Sequence, residues 1–117
     1  MSKSFAPGAR LRSRAEFLAV QGSGRRVSAR FMTLLGLRNT SDHDRFGIVA
    51  SRRVGGAVVR NRAKRRLREM FRHEDSAAGR PSLDIVAIAR RELADAPFAS
   101  VRSDFRAALD RLRKGVK

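Results

Sequence analysis

The segment Arg60–Glu69, "RNRAKRRLRE", places six basic side chains and one carboxylate in ten positions. Repulsion among like charges opposes folding, so a partner of opposite charge is expected to compensate it. With successive residues about 100° apart around a helix axis, the apolar side chains of this region fall on one face. They are Val59, Ala63, Leu67 and Met70. The segment is therefore predicted to be an amphipathic helix whose apolar face packs on the rest of the fold.

The opposite face of the predicted helix is a stripe of polar and basic side chains. Its members are Asn61, Lys64, Arg65, Arg68 and Arg72. Solvated faces usually mix charge signs, because like pairs at i,i+4 destabilise a helix. Here only Glu69 opposes the cations. The stripe therefore favours RNA or DNA binding over a plain solvated face.

Two basic residues fall outside this division. Arg60 lies at the border between the two faces. Arg66 falls near the apolar face, so its guanidinium must reach around to solvent, unless that edge of the helix is open. Before the helix, Gly55 and Gly56 leave N–H groups at a helix N-terminus, where an anion is favoured. Glycines that only make a turn are the alternative.

The overall charge points the same way as the stripe. The chain has 117 residues, 27 Lys and Arg against 11 Asp and Glu, and a net charge of +16. Such an excess favours polyanions, with nucleic acid first and an anionic membrane surface second. No apolar run approaches the roughly 20 residues that span a bilayer, so no membrane segment is expected. The lack of Cys excludes a disulfide scaffold and a thiolate metal site, and is compatible with a reducing cytoplasm.

The length and the 42% hydrophobic residues fit a single domain with a modest core over residues 1–117. Residues 1–11 are predicted to form a flexible basic arm. Ser13 then caps a short helix, with Glu16 completing a capping-box pattern and Phe17 and Val20 on its apolar face. Glycines after Gln21 end this helix.

Three apolar segments are predicted to be strands. The first covers residues 27–38, with a possible shorter strand at Arg26–Ser28, and the second is Arg45–Ser51. These two are predicted to pair as a hairpin around a polar turn. Leu83–Ala89 is predicted to be a buried strand.

The two remaining helices complete the predicted fold. The basic helix runs from about Ala57 to about His73, and a last helix begins at Pro97. The apolar face of the last helix is formed by Phe98, Val101, Phe105, Leu109 and Leu112. The element order α-β-β-β-α-β-α with about four strands predicts an α+β fold, a two-layer α/β sandwich.

The segment Ser51–Phe71, "SRRVGGAVVRNRAKRRLREMF", resembles the signature of the bacterial ribonuclease P protein subunit. The chain length, the helix carrying Phe17, and the strands "RFGIVAS" and "LDIVAIA" extend the resemblance over nearly the whole chain. The resemblance implies an α/β sandwich with a left-handed β-α-β crossover around the basic helix. Pattern reasoning alone would not have given that hand, because most such crossovers are right-handed.

The resemblance also implies two sets of binding residues. The set expected to bind the catalytic RNA subunit is Arg53, Arg60, Asn61, Lys64, Arg65 and Arg68. A cleft beside the first helix is expected to hold the 5′ leader of precursor tRNA, using Phe17, Leu35 and Arg52. Gln21 and Leu35 stand where the family often has aromatic residues, so leader binding should rest more on charge and apolar packing. A plain core role for Phe17 is the alternative.

Catalysis by the protein itself is not expected from the residues. Asp42-His43-Asp44 is the one tempting acidic cluster, and its position in a predicted turn explains it without chemistry. The resemblance agrees, since it implies an active site on the RNA subunit, with Mg²⁺ held mainly by that RNA and the substrate. It implies a cytoplasmic, monomeric protein in a 1:1 complex with the RNA. Two alternatives stay open: a ribosomal or architectural RNA-binding protein, and a stand-alone metal nuclease using Asp42 and Asp44.

Overall fold

The computed structural model describes residues 11, 14–74 and 81–115. The helices are α1 (Arg14–Ser23), α2 (Ala57–Arg72) and α3 (Phe98–Gly115). The strands are β1 (Arg25–Ser28), β2 (Met32–Arg38), β3 (Arg45–Val49) and β4 (Leu83–Ala89). Two short 3-10 turns, Arg52–Val54 and Arg91–Ala94, precede α2 and α3. The predicted element order is confirmed, and the predicted bounds of α2 and β4 agree closely with the structure.

The four strands form one mixed sheet in the order β1-β2-β4-β3. The predicted hairpin between the second and third strands is wrong, because β4 lies between them and pairs antiparallel with β2 and parallel with β3. The hairpin is formed instead by β1 and β2. The physical reason is burial: β4 is apolar toward both faces, so it is stable in the centre of the sheet and not at an edge. The parallel pair β3–β4 is joined through α2, which gives the expected β-α-β crossover; its left hand stays a prediction.

One face of the sheet packs against α2 and α3. Leu34, Ile85 and Ala87 on this face are fully buried, as are Leu67 of α2 and Leu112 of α3. The predicted apolar faces of the two helices therefore point into one core. Phe98, at the start of α3, departs from its prediction and is 37% exposed.

The other face of the sheet is covered by α1, so the sandwich of sheet and two helices gains a third, single-helix layer. Val20 of α1 packs on Leu35 and Val86, together with Leu11. Leu11, the last residue of the predicted flexible arm, is buried and donates its N–H to the Phe46 carbonyl at 2.9 Å. The rest of that arm, and the capping residue Ser13, lie outside the described residues.

An ionic contact ties α1 to the sheet beneath it. Arg45 of β3 donates to both carboxylate oxygens of Asp84 on β4, at 2.8 and 2.7 Å. Its remaining terminal nitrogen lies 2.5 Å from Glu16 of α1. The hydrogen bonds to Asp84 raise the pKa of Arg45 above its ordinary value. This tie helps to hold α1, the helix that carries Phe17, against the sheet.

Candidate nucleic-acid interface

A tight turn leads from β3 into the basic helix α2. Ser51 accepts a hydrogen bond from the Arg53 N–H and starts the 3-10 turn, while buried Val54 anchors it. Gly55 follows with φ of 146°, a backbone conformation that favours glycine. Gly56 then begins α2 without a side-chain capping hydrogen bond. The glycines thus make a turn, and the first-turn N–H groups of α2 receive no side-chain cap from Gly56. An anion at these N–H groups stays a prediction.

A groove of about 200 Å³ lies across the edge strand β3, between α1 and α2. Its lining residues are Leu11, Phe17, Phe46, Gly47, Ile48, Lys64 and Arg68. The Phe17 ring lies directly over Gly47, where a Cβ atom would come within 2.5 Å of two ring carbons. Gly47 therefore permits the aromatic ring to lie against the strand and form one wall of the groove.

The opposite wall of the groove is basic. Lys64 and Arg68 belong to α2 and are spaced four residues apart, so they lie along the same side of the helix. The residues that line this groove in the described part of the chain include no acidic side chain. A groove with an aromatic ring on one wall and cations on the other suits a single-stranded nucleic acid, whose bases stack and whose phosphates need neutralising.

The outward side of α2 carries the rest of the predicted stripe, with one change. Asn61, Arg65 and Arg68 are exposed. Arg72, placed in the stripe from the helical wheel, donates to Glu69 at 2.6 Å within the helix. Arg60 is partly buried, and its Nε has no hydrogen-bond partner among the described residues. The Nε atom of Arg72, which bonds to Glu69 through Nη2, is likewise buried without a hydrogen-bond partner among the described residues.

Arg66, on the wrong side of the helical wheel for the stripe, faces the protein. Its Nη1 donates to the main-chain oxygens of Leu93 and Ala96, at 3.0 and 2.6 Å. The guanidinium thus neither reaches around to solvent nor leaves an open edge. Its partners are backbone carbonyls that lie near Arg66 only in the folded chain.

The other predicted binding residues are placed as follows. Arg52 and Arg53 are exposed on the 3-10 turn that leads into α2, and neither lines the groove. Leu35 is only 3% exposed and packs beneath α1. A buried side chain cannot contact a ligand in this conformation, so Leu35 supports α1 from beneath and does not line the groove.

Sequence reasoning missed the floor of the groove. Phe46, Gly47 and Ile48 form it, but they read simply as a strand because the pairing partner of β3 was misassigned. The available signal was the glycine inside the apolar strand, which often marks a close approach.

The acidic turn between β2 and β3 has a structural explanation. The buried carboxylate of Asp44 accepts from the Leu83 N–H and from Arg113, each at 2.8 Å. Asp42 is exposed and lies 2.8 Å from His43 Nδ1, a hydrogen bond that lowers the pKa of Asp42 below its ordinary value. Within the described ranges, no three His, Cys, Asp or Glu side chains are grouped to hold a metal ion. The turn therefore does not favour the stand-alone nuclease.

None of the helices in the described part of the chain is both long and apolar enough to cross a membrane.

Comparison with known proteins gives a consistent result. The family model described as Ribonuclease P matches residues 5–113. The ribonuclease P protein component of Gluconacetobacter diazotrophicus is 41% identical over 101 residues, which cover 86% of this chain and 87% of that protein.

Solved structures agree in fold. The RNase P protein of Staphylococcus aureus matches with a TM-score of 0.76 and 30% identity, covering 88% of this chain and 94% of that one. The RNase P protein of Thermotoga maritima matches with a TM-score of 0.73 and 33% identity, covering 90% and 96%. The chain therefore belongs to the bacterial ribonuclease P protein family.

Proposed function

We propose that this chain is the protein subunit of ribonuclease P, acting in 5′ processing of tRNA with a catalytic RNA subunit. The observation that carries the proposal is the arrangement of Phe17, Lys64 and Arg68 around one groove, on a chain that belongs to this family. The groove binds the single-stranded 5′ leader of precursor tRNA. The outward side of α2 binds the RNA subunit.

Binding of the RNA subunit rests on charge. Arg65 and Asn61 are exposed on the outward side of α2, and Arg53 is exposed just before it. Arg60, which is partly exposed, completes the set that the resemblance to the family implies. Each phosphate neutralised by such a residue releases counterions, so binding should weaken steeply as salt is raised.

Leader binding rests on one ring and two cations. Phe17 offers a face on which a base can stack, worth about 1–3 kcal/mol per base. Lys64 and Arg68, which the resemblance assigns to the RNA subunit, lie on the facing wall of the groove, where they neutralise phosphates of the leader. Because Phe46 is only 8% exposed, its ring supports the floor of the groove and offers little surface for stacking.

Magnesium is expected to be held mainly by the RNA subunit and the substrate, as the resemblance to the family implies. The donor set of the protein supports this assignment, because the described groove is lined by apolar and basic side chains and by no carboxylate. Carbonyl and carboxylate oxygens are the ligands Mg²⁺ takes from proteins. The contribution of this chain is then to hold the substrate and to lower the repulsion between RNA strands. We further propose a monomeric protein in a 1:1 complex.

The test is cleavage of precursor tRNA by RNA alone, protein alone, and both, over a range of magnesium concentrations. Protein alone should cleave nothing. Adding protein to the RNA should lower the magnesium needed and should tighten binding of a long-leader substrate more than of a one-nucleotide-leader substrate. An unchanged magnesium dependence and unchanged substrate affinity would refute the proposal.

The groove is tested with a matched pair of variants on α1. Phe17→Ala should remove most of the leader-dependent gain, about 1–3 kcal/mol for one lost stacking contact. Leu18→Ala changes the next residue, which is 52% exposed and does not line the groove, and should leave the gain intact. Equal losses in both variants would show that the groove is not the leader site.

A further inference from the structure

Two arginines of the basic helix, Arg62 and Arg66, are bonded to other parts of the protein. Arg66 donates to the carbonyls of Leu93 and Ala96. One turn earlier on the same side of α2, Arg62 Nη1 lies 2.7 Å from a carboxylate oxygen of Asp95. All three partners belong to the β4–α3 connection, residues 90–97.

The β4–α3 connection is a firm attachment point for these bonds. Leu93 and Ala94 are completely buried. The Arg91–Ala94 turn contains them, and the Asp95 and Ala96 N–H groups both donate to the Glu92 carbonyl. Arg66 therefore connects α2 to a segment whose backbone is already fixed by the core.

The Phe98 ring adds a second contact to Arg66. The guanidinium carbon lies 5.6 Å from the ring centroid, within the range of a cation–π interaction. The contact gives the partly exposed Phe98 ring a partner outside the core. A planar guanidinium makes both contacts together, and a lysine ammonium does not reproduce them.

We propose that Arg66, assisted by Arg62, is a positioning residue that braces α2 against the β4–α3 connection and holds the RNA-contacting side of the helix in place. The proposal rests on the proposed function, in which the opposite side of α2 binds the RNA subunit. It divides the basic segment by role: Arg65 faces the RNA subunit, Lys64 and Arg68 face the groove, and Arg66 and Arg62 orient the helix that carries them.

The experiment measures affinity of the purified full-length protein for the RNA subunit as a function of salt. The variants are Arg66→Lys, Arg66→Met and Arg65→Met, with Arg113→Met as a stability control. Arg113 makes a buried ion pair with Asp44 at the other end of α3 from Phe98, so its loss lowers stability without touching the brace. Thermal unfolding of every variant is recorded in parallel.

A brace and a phosphate contact give different results. Arg66→Lys and Arg66→Met should both weaken RNA binding about tenfold, the equivalent of one misplaced charge-assisted contact, with an unchanged salt slope. Arg65→Met should reduce the salt slope by about 0.7–0.9, the value for one phosphate contact. Arg113→Met should unfold at a lower temperature and yet bind RNA like the wild type.

Several outcomes would overturn the brace. If Arg66→Lys binds like the wild type while Arg66→Met loses salt slope, Arg66 is a phosphate contact. If neither change alters affinity, α2 needs no brace. If Arg113→Met weakens binding equally, stability alone explains the loss. If the wild-type protein shows no salt-dependent RNA binding, the proposed function itself is refuted. This outcome is distinguishable from failure of the brace alone, in which the wild type still binds RNA.

Discussion

The two faces of the sheet hold their helices by different means. On the α2–α3 face, a single cluster of 21 buried apolar residues of the described chain joins sheet and helices. On the α1 face, the corresponding cluster has four, supplemented by the ionic tie from Glu16 through Arg45 to Asp84. The groove lies between these two faces of the sheet. Its Phe17 wall belongs to α1, and its Lys64 and Arg68 wall belongs to α2. One wall is therefore fixed by the core, and the other is held by a few contacts that single substitutions can remove.

The largest expected effect comes from two neighbouring leucines of β2 that point to opposite faces. Leu34→Ala should lower the free energy of unfolding by about 3–5 kcal/mol, because the surrounding core cannot close the cavity. Leu35→Ala should cost about 2–3 kcal/mol, since α1 can settle onto the smaller side chain. Urea unfolding of both variants measures the difference. Equal costs, or a larger cost for Leu35→Ala, would contradict the contrast between the faces.

The next effect concerns the contact between the Phe17 ring and Gly47. Gly47→Ala places a methyl group 2.5 Å from two Phe17 ring carbons and 3.3 Å from Leu11, so the ring must move. We expect a loss of about 1–3 kcal/mol in unfolding free energy, with loss of leader-dependent substrate binding. Adding Phe17→Ala should recover much of the stability, because it removes the clash.

Gly22→Ala is the matched control for that change. Gly22 lies in α1, and a Cβ atom there would meet nothing within 4 Å. The substitution should stabilise the protein by about 0.5–1 kcal/mol, since alanine is the better helix former. A Gly47→Ala variant that behaves like Gly22→Ala would show that the ring position is not fixed by the strand.

A smaller effect is expected from the ionic tie of α1. Glu16→Gln removes the charge facing Arg45, whose side chain is 28% exposed and keeps both bonds to Asp84. The cost should be about 0.5–1 kcal/mol, the range for partly exposed pairs. Amide hydrogen exchange should show faster exchange in α1 and no change in α3. Faster exchange in both helices would mean that the tie is not local to α1.

The smallest effect is a pH dependence within α2. Hydrogen bonds from Arg72 and then His73 hold the pKa of Glu69 below its ordinary value of 4.5. The folded pKa is depressed, so the stabilisation is present above pH 4.5 and is lost as the pH falls through the folded pKa. Wild type should therefore lose stability relative to Glu69→Gln as the pH falls below about 4.5. A difference in stability that does not change below pH 4.5 would contradict this assignment.

Local patterns predicted the elements well because local physics decides them. The helical wheel correctly assigned Ala63, Leu67 and Met70 to the core, since a 3.6-residue period is a property of the chain itself. The apolar composition of β4 likewise predicted its burial. The pairing of β3 was predicted wrongly, because adjacency in sequence favoured a hairpin while burial on both faces required β4 in the centre.

The candidate site divides in the same way. The stripe of α2 was predicted from its sorted charge, and a binding role for Phe17 was implied by the resemblance to the family. That Lys64 and Arg68 face Phe17 across one groove, and that Leu35 lies beneath α1, depend on which helix covers which face. No periodicity within one element carries that information.

By itself, the sequence determined an amphipathic basic helix and a net positive charge that favours binding to a polyanion. It also contains a signature specific enough to indicate the family. Only the tertiary structure decided which cations are free to bind. Arg65 and Arg66 are neighbours of the same chemistry, yet one is exposed and the other bonds to carbonyls 27 and 30 residues away. The reason is that hydrogen-bond acceptors of the backbone exist everywhere in a sequence, and folding alone determines which of them a given guanidinium reaches.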